Sequence, residues 1–343
     1  MNSKNENTLA LIIAEISANH QHDFNTAIQM IRKAKECGAD AVKFQCYTPD
    51  TITIDVDNKY FRIKHAKWGG QTLYQLYKKA YTPWSWFKKL KRTADDLGLI
   101  FFATAFDKTS VDFLEGLNVP FHKIASFEIV DLPLIEYAAK TKKPIILSTG
   151  MATVLEIKEA VNTARKSGAR DVTLLKCVSG YPAEPEDMNL KTIPDMKARF
   201  GCQVGLSDHT LGIGVSLAAV SLGAEMIEKH FTLSRKVKTP DSFFSIEPHE
   251  LRLLVVNVRV AEKAMGKVFY GLSREEKKNR VFRRSLFAVQ DIKKGGLFTE
   301  ENVRSVRPDY GLPPNSLKNI LGRKAKKDIR KGTPMSLELV VRR

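Results

Sequence analysis

Apolar residues fall along most of this chain in short clusters that alternate with longer stretches of helical spacing. Strand-like runs occupy residues 9–17, 40–47, 99–106, 121–126, 144–150, 171–177, 203–209 and 225–231, and most are followed by an amphipathic segment with apolar residues every three or four positions. Eight such strand–helix units within the first 270 residues predict an α/β fold, a (β/α)8 TIM barrel, which typically needs about 250 residues. The last of these helices is expected over 248–265, with Gly266 placed to stop it. Past Phe269 the pattern breaks. Residues 271–284 are dense in charge and poor in apolar residues, so they read as an exposed linker between a catalytic domain over 1–270 and a module over 285–343. That module has short strand-like pieces at 285–289 and 303–306. It repeats one phrase, Asp291-Ile-Lys-Lys-Gly295 and Asp328-Ile-Arg-Lys-Gly332, which predicts a small β-rich unit of two related halves.

The polar residues that interrupt this pattern concentrate at the C-terminal ends of the strand-like runs. In chain order they are Glu15; Lys43 and Gln45; Thr104; Lys123, Ser126 and Glu128; Ser148; Ser179 and Tyr181; Ser207 and His209; and His230. A barrel carries its chemistry at those ends, so a polar group at every one of them predicts a charged substrate site. Taken singly, each residue reads as well as a rim charge or a hydrogen-bonded packing group, and only the set points to catalysis. His209 and His230 end neighbouring runs, and two imidazoles converging there can hold a divalent metal. Neutral nitrogen ligands completed by water favour Mn²⁺, with Mg²⁺ or Co²⁺ as substitutes.

Composition narrows the context without changing that picture. The formal net charge is +17 and the sequence pI about 9.6. The basic residues are spread over helix faces and the linker with no nucleic-acid-binding module, so they read first as solvated helix faces, with attraction of an anionic substrate as a secondary effect, rather than as a nucleic-acid surface. No run approaches the roughly 18 apolar residues a membrane span requires. The first residues lack the apolar core of a secretory signal, which predicts a cytoplasmic protein with no membrane partner. Cys37, Cys46, Cys177 and Cys202 have no metal-ligand spacing and read as reduced packing residues.

Several strings then stand out together: Ile13-Ala-Glu-Ile-Ser-Ala-Asn-His20, Lys43-Phe-Gln45, Lys123-Ile-Ala-Ser-Phe-Glu128, Leu147-Ser-Thr-Gly-Met151, Tyr181-Pro182 with Glu186-Asp187, Gly205-Leu-Ser-Asp-His-Thr210, Ile227-Glu-Lys-His-Phe231 and Arg307-Pro308. In this order they resemble the sialic acid (nonulosonic acid) synthase family, from about residue 9 to the C-terminus. The small module resembles that family's antifreeze-like (SAF) domain. The resemblance implies an enzyme, a transferase that condenses phosphoenolpyruvate with an N-acetylated amino sugar to give a nine-carbon 2-keto acid and phosphate. It places Thr104, Lys123, Ser126 and Ser207 near the phosphate, and Ser148, Ser179 and Tyr181 near the carboxylate. Lys43, Gln45, Tyr181, Asp241 and Arg307 would contact the sugar. The chemistry of that reaction, rather than the resemblance, suggests Glu15, Glu128 and Lys43 as catalytic groups, with Glu15 stabilising a cationic centre or orienting water and Glu128 binding sugar hydroxyls or moving a proton. The resemblance also implies a swapped homodimer in which Arg307 reaches the partner's sugar, although Asp309 stands where the family's motif has Gly.

The segment from Trp68 to Trp86, preceded by Tyr47-Thr-Pro-Asp50, is similar to the pseudaminic acid synthase branch, whose sugar is a 2,4-diacetamido-2,4,6-trideoxy-altropyranose. The loop Lys238-Thr-Pro-Asp-Ser-Phe-Phe-Ser245 departs from the Pro-Gly-Pro-Asp-His usual in N-acetylneuraminate and legionaminate synthases, which are the alternative reading. Trp84 and Trp86 read equally well as helix-to-barrel packing. A catalytically silent sugar-binding relative is the alternative of another class.

Overall fold

In the computed structural model, which describes residues 9–64 and 67–342, eight parallel strands close into a barrel in sequential order. They are β1 (Leu11–Glu15), β2 (Ala41–Cys46), β3 (Ile100–Ala105), β4 (His122–Ile124), β5 (Ile145–Ser148), β6 (Val172–Cys177), β7 (Gln203–Asp208) and β8 (Met226–His230). Each expected run is present, most of them trimmed at their ends, and the closing β8–β1 ladder pairs His230 with Glu15. Beyond β1 the expected strand gives way to a 3₁₀ turn, Ser17–His20, which turns the chain across the barrel mouth.

Register fixes which side chains face inward. Cα partners around the ring link Glu15 with Lys43, Thr104 with Gln45 and with Lys123, and Cys177 with Ser207, which pairs in turn with Glu228. Residues paired in this way share a face, so these groups line one interior. Below them the interior is apolar, with Ile13, Phe102, Ile146 and Leu175 all buried. Gly205 is required at this level, because a Cβ there would lie 2.7 Å from Leu175 Cδ2 and 2.8 Å from Met226 Cβ. The opposite strand faces, carrying residues such as Ile12, Val42, Phe101 and Leu206, join the helices in one buried cluster. The helices start where the sequence supplies caps: Asp23, Asp107, Asp131 and Thr153 each accept from the backbone N–H three residues on. The last barrel helix, Pro248–Met265, spans the predicted residues. Trp84 stacks on Phe113 at 4.5 Å, and Trp86 packs edge-on against His20 and Phe24 at 5.6 Å, which is the packing role read from the sequence.

A second compact unit begins at Lys267. The charged segment at its start contains a short helix, Arg274–Asn279, closed by a Ser273/Glu276 capping box and burying nothing. Beyond it, β9 (Ser285–Ala288) and β10 (Val303–Val306) pair antiparallel around a small core that includes Leu286, Phe298, Val303 and Met335. The repeated phrases pair with each other. Ile292 and Ile329 exchange both backbone hydrogen bonds at 2.8 Å, Lys294 N–H donates to Asp328 and Lys331 N–H to Asp291, each at 2.7 Å. The two halves are thus related by a local twofold. This unit holds twenty Lys and Arg against eight Asp and Glu, so +12 of the chain's net charge of +17 lies in it. Among the described residues no helix is long and apolar enough to cross a membrane.

Candidate active site

The inner face of the barrel gathers a network of buried charge. Lys43 Nζ lies 2.6 Å from Glu15 Oε2 and 3.5 Å from Glu228 Oε1, and donates to Thr104 Oγ1 at 2.9 Å. Burial pushes Glu15 up to about 7 against the pull of Lys43, with Glu228 adding to the rise. The same burial opposes a charge on Lys43, but Glu15 and Glu228 outweigh it and hold the ammonium above the usual lysine range. Lys123 differs. It donates to Ser148 Oγ at 2.6 Å and to the Ile124 carbonyl at 3.0 Å, and burial draws its pKa down. It therefore presents a positive charge with hydroxyl partners rather than a carboxylate clamp.

Neighbouring loops extend this surface. Ser126 and Ser179 hydroxyls meet at 3.0 Å, an approach that Gly150 permits: its φ is +43°, and a Cβ there would run into Ser126 and come within 2.8 Å of Ser179 Oγ. The resemblance allots Ser126 and Ser179 to opposite ends of the substrate, as it does Lys123 and Ser148. The structure brings both pairs into hydrogen-bond contact, so the phosphate and carboxylate groups would share one continuous patch. Ser207 Oγ donates to Glu228 Oε1 at 3.2 Å. Glu128, on the turn after β4, is pushed up to about 7 by burial, with Lys123 opposing.

Above this patch stand the histidines, their ring centroids 5.4 Å apart. His209 Nδ1 lies 2.8 Å from the Val178 carbonyl. A carbonyl only accepts, so Nδ1 carries a proton; burial disfavours a second one, but Cys177 and the Val178 carbonyl outweigh it and raise the pKa, so Nε2 offers its lone pair once the ring is neutral. His230 is kept neutral mainly by burial, and its Nδ1 has no hydrogen-bond partner. Asp241 Oδ2 lies 3.9 Å from that nitrogen and is tied to Ser17 Oγ, which also accepts from Gln45 Nε2 at 2.9 Å. Buried oxygens of Glu15, Glu128 and Glu228 are likewise left without a hydrogen bond. Orphaned acceptors and a free ring nitrogen on one inner face mark a surface shaped for a ligand.

One side of the mouth is aromatic. Tyr181 lies 4.5 Å from the His209 ring and 5.2 Å from Phe244, and Phe244 lies 4.8 Å from His230. Trp68 reaches Tyr181 and Phe243 at 5.7 and 6.3 Å and donates its indole N–H to the Pro240 carbonyl at 2.8 Å. The loop carrying Asp241 and Phe243 is pinned beneath by Asn19, which donates to Ser245 Oγ at 2.9 Å.

The sequence-predicted barrel residues thus come together at the C-terminal ends of the strands, whereas Arg307 follows β10 in the second unit. Sequence reasoning missed Glu228, Ser17, Trp68 and Phe244. Cys177, read as a packing residue, lies on the inner face with its thiol 3.9 Å from His209 Nδ1. The four cysteines are all buried and free.

Residues 30–270 match the NeuB family and residues 283–341 the SAF domain. A pseudaminic acid synthase from Campylobacter jejuni is 44% identical over 96% of this chain and 96% of its own length. An N,N'-diacetyllegionaminic acid synthase from the same organism is 41% identical over 93% of this chain and 96% of its own. Among solved structures, the N-acetylneuraminic acid synthetase of Leptospira borgpetersenii, in complex with citrate, superposes with a TM-score of 0.71 at 34% identity. That match covers 81% of this chain and 94% of that one.

Proposed function

The chain belongs to the NeuB family, and from that premise we propose that it condenses phosphoenolpyruvate with 2,4-diacetamido-2,4,6-trideoxy-altropyranose, releasing phosphate and forming pseudaminic acid. The observation that carries the reading is the division of labour between two buried lysines. Lys123, hydrogen-bonded to Ser148, is available to an anionic phosphate, while Lys43 is already balanced by Glu15 and Glu228. The hydroxyls of Ser126, Ser179, Thr104 and Ser207 direct the remaining phosphate and carboxylate oxygens. Attack by carbon 3 of phosphoenolpyruvate on the open-chain sugar aldehyde leaves positive charge at carbon 2, which water then captures. Glu15 lies on the inner face to stabilise that charge or orient the water. Glu128, with a pKa of about 7, is suited to exchange a proton near neutrality.

His209 and His230 fit a divalent metal, Mn²⁺ in the first place, through the free Nε2 of the first and the unpartnered ring of the second. Among the described residues no group of three or more His, Cys, Asp or Glu gathers to hold an ion, so the two rings would be the protein's main share of the ligands, with Asp241 alongside. When bound, the ion would act as a Lewis acid on the aldehyde. The aromatic wall of Trp68, Tyr181 and Phe243 supports a sugar with an apolar end. The proposal extends to a cytoplasmic transferase acting as a homodimer, in which Arg307 of the partner subunit contacts the sugar.

Phosphate release tests the reading. Purified protein supplied with Mn²⁺ and phosphoenolpyruvate is expected to release phosphate with the trideoxy-altrose, and not with N-acetylmannosamine or the legionaminate precursor. Release only with one of those two sugars would overturn the specificity, and release with none would overturn the activity.

A further inference from the structure

On the opposite faces of the two strands that carry the histidines lies an ion pair that the proposed chemistry does not use. Asp208 and Lys229 are direct partners in the β7–β8 ladder, are 1% and 2% exposed, and meet at 2.9 Å. Burying both charges costs desolvation that two apolar residues would avoid, so stability alone is a poor reason for them. Their hydrogen bonds supply a better one. Asp208 Oδ1 accepts from Thr210 N–H at 2.9 Å and from Thr210 Oγ1 at 2.7 Å, which closes a turn around His209. Asp208 Oδ2 accepts from Ser216 Oγ at 2.6 Å, at the start of the next helix, and Lys229 Nζ donates to the Thr210 carbonyl at 2.6 Å. The residue after His209 is thereby held at its N–H, its carbonyl and its side chain. His209's own carbonyl accepts from Ala183 N–H at 3.1 Å. Lys229 in turn separates Glu228 from His230, so the pair also sets β8 against β7 at the level of the second imidazole.

We infer that Asp208 and Lys229 are positioning residues: they fix the turn that aims His209 at the Val178 carbonyl and hold its Nε2 and the His230 ring at a constant separation. The link to metal affinity rests on the function proposed above; the orientation of His209 does not.

The test uses metal-free protein labelled with ¹⁵N-histidine, with the His209 signal assigned by its loss in His209→Gln. At a pH high enough for His209 to be neutral, wild type is expected to show a ring protonated at Nδ1. In the double variant Asp208→Asn/Lys229→Met, which leaves no unpaired charge, that signal is expected to become a mixture of tautomers. Mn²⁺ alone, titrated in by electron paramagnetic resonance, should bind 10- to 100-fold more weakly, the usual effect of losing support behind a ligand. A folded double variant that keeps the wild-type His209 spectrum and binds Mn²⁺ within twofold of wild type would overturn the inference, even if it melts at lower temperature. Should the double variant fail to fold, Thr210→Val removes one of the bonds alone, and a wild-type spectrum and affinity there would overturn it equally. Failure of wild type itself to bind Mn²⁺ would sink the metal reading, and the tautomer would still decide this one.

Discussion

Replacing Lys43 by Met keeps most of the side chain's length and removes its charge, leaving Glu15 and Glu228 to face each other in a buried space. Deleting one partner of a buried ion pair costs about 3–5 kcal/mol when the remaining charge stays ionised. The structure says how that cost varies with pH. Glu15 already has a pKa of about 7 with Lys43 at 2.6 Å. Its folded value lies above the unfolded one, so the folded protein holds the extra proton and stability falls as pH rises towards 7. In wild type that loss ends near pH 7. Without Lys43 the carboxyl keeps its proton to higher pH, and the loss continues at up to about 1.4 kcal/mol per pH unit. The gap between wild type and Lys43→Met should therefore be about 1–3 kcal/mol at pH 6 and wider by about 2 kcal/mol at pH 8.5. Urea titrations of metal-free protein, followed by tryptophan fluorescence, can measure it, because Trp68, Trp84 and Trp86 all lie in the barrel unit and the second unit is silent. A gap that is constant with pH, or that narrows as pH rises, would refute the reasoning.

Gly150→Ala should cost about 2–3 kcal/mol and raise the KM for phosphoenolpyruvate at least about tenfold, since it forces Ser126 and Ser179 apart at a left-handed backbone position; Mn²⁺ affinity measured in parallel should not change. Glu128 destabilises the fold as pH rises from about 4.5 to 7, so Glu128→Gln should unfold at higher urea than wild type at pH 8, by roughly 1–2 kcal/mol after allowance for partial exposure, and with no gain at pH 4.5. Phe243→Ser removes a ring that packs against Trp68, and it should lower kcat/KM for the trideoxy sugar about tenfold in the phosphate-release assay while the KM for phosphoenolpyruvate stays unchanged. Dialysis against a chelator should abolish turnover, with Mn²⁺ restoring it, and the far-ultraviolet circular dichroism should stay unchanged.

The barrel could be read from the sequence because its signal is local. Each strand is a compact apolar run, and each helix has its own cap and periodicity, as Asp23 and Thr153 illustrate. The inward groups were legible for the same reason, since strand parity carries from one residue to the next but one. Glu228 shows where the reading stopped short. Once His230 faces inward, Glu228 must as well, but a mid-strand carboxylate carries no local sign of burial, and only register places it beside Lys43. The Ser273-Arg-Glu-Glu276 capping box was equally visible, though the segment has no apolar face to support a helix assignment. Contacts across long separations left no such trace. Trp68 meets Pro240 across 172 residues, and Ser17 reaches Asp241 across 224, because two loops with no shared pattern close over the same rim.

The apolar plug of Ile13, Phe102, Ile146 and Leu175, packed tight at Gly205, closes the barrel interior beneath the charged groups, so on the proposed function they are reached from the rim above. A vessel with a single mouth imposes a queue. On the proposed assignment, the reactant held by Lys123 and Ser148 sits at the bottom, and the sugar sits above it against Trp68 and Phe243. Phosphoenolpyruvate must then load before the sugar, and phosphate waits behind the nine-carbon acid until that product has gone. Ordered kinetics in both directions would follow from the shape of the barrel, with no moving lid required.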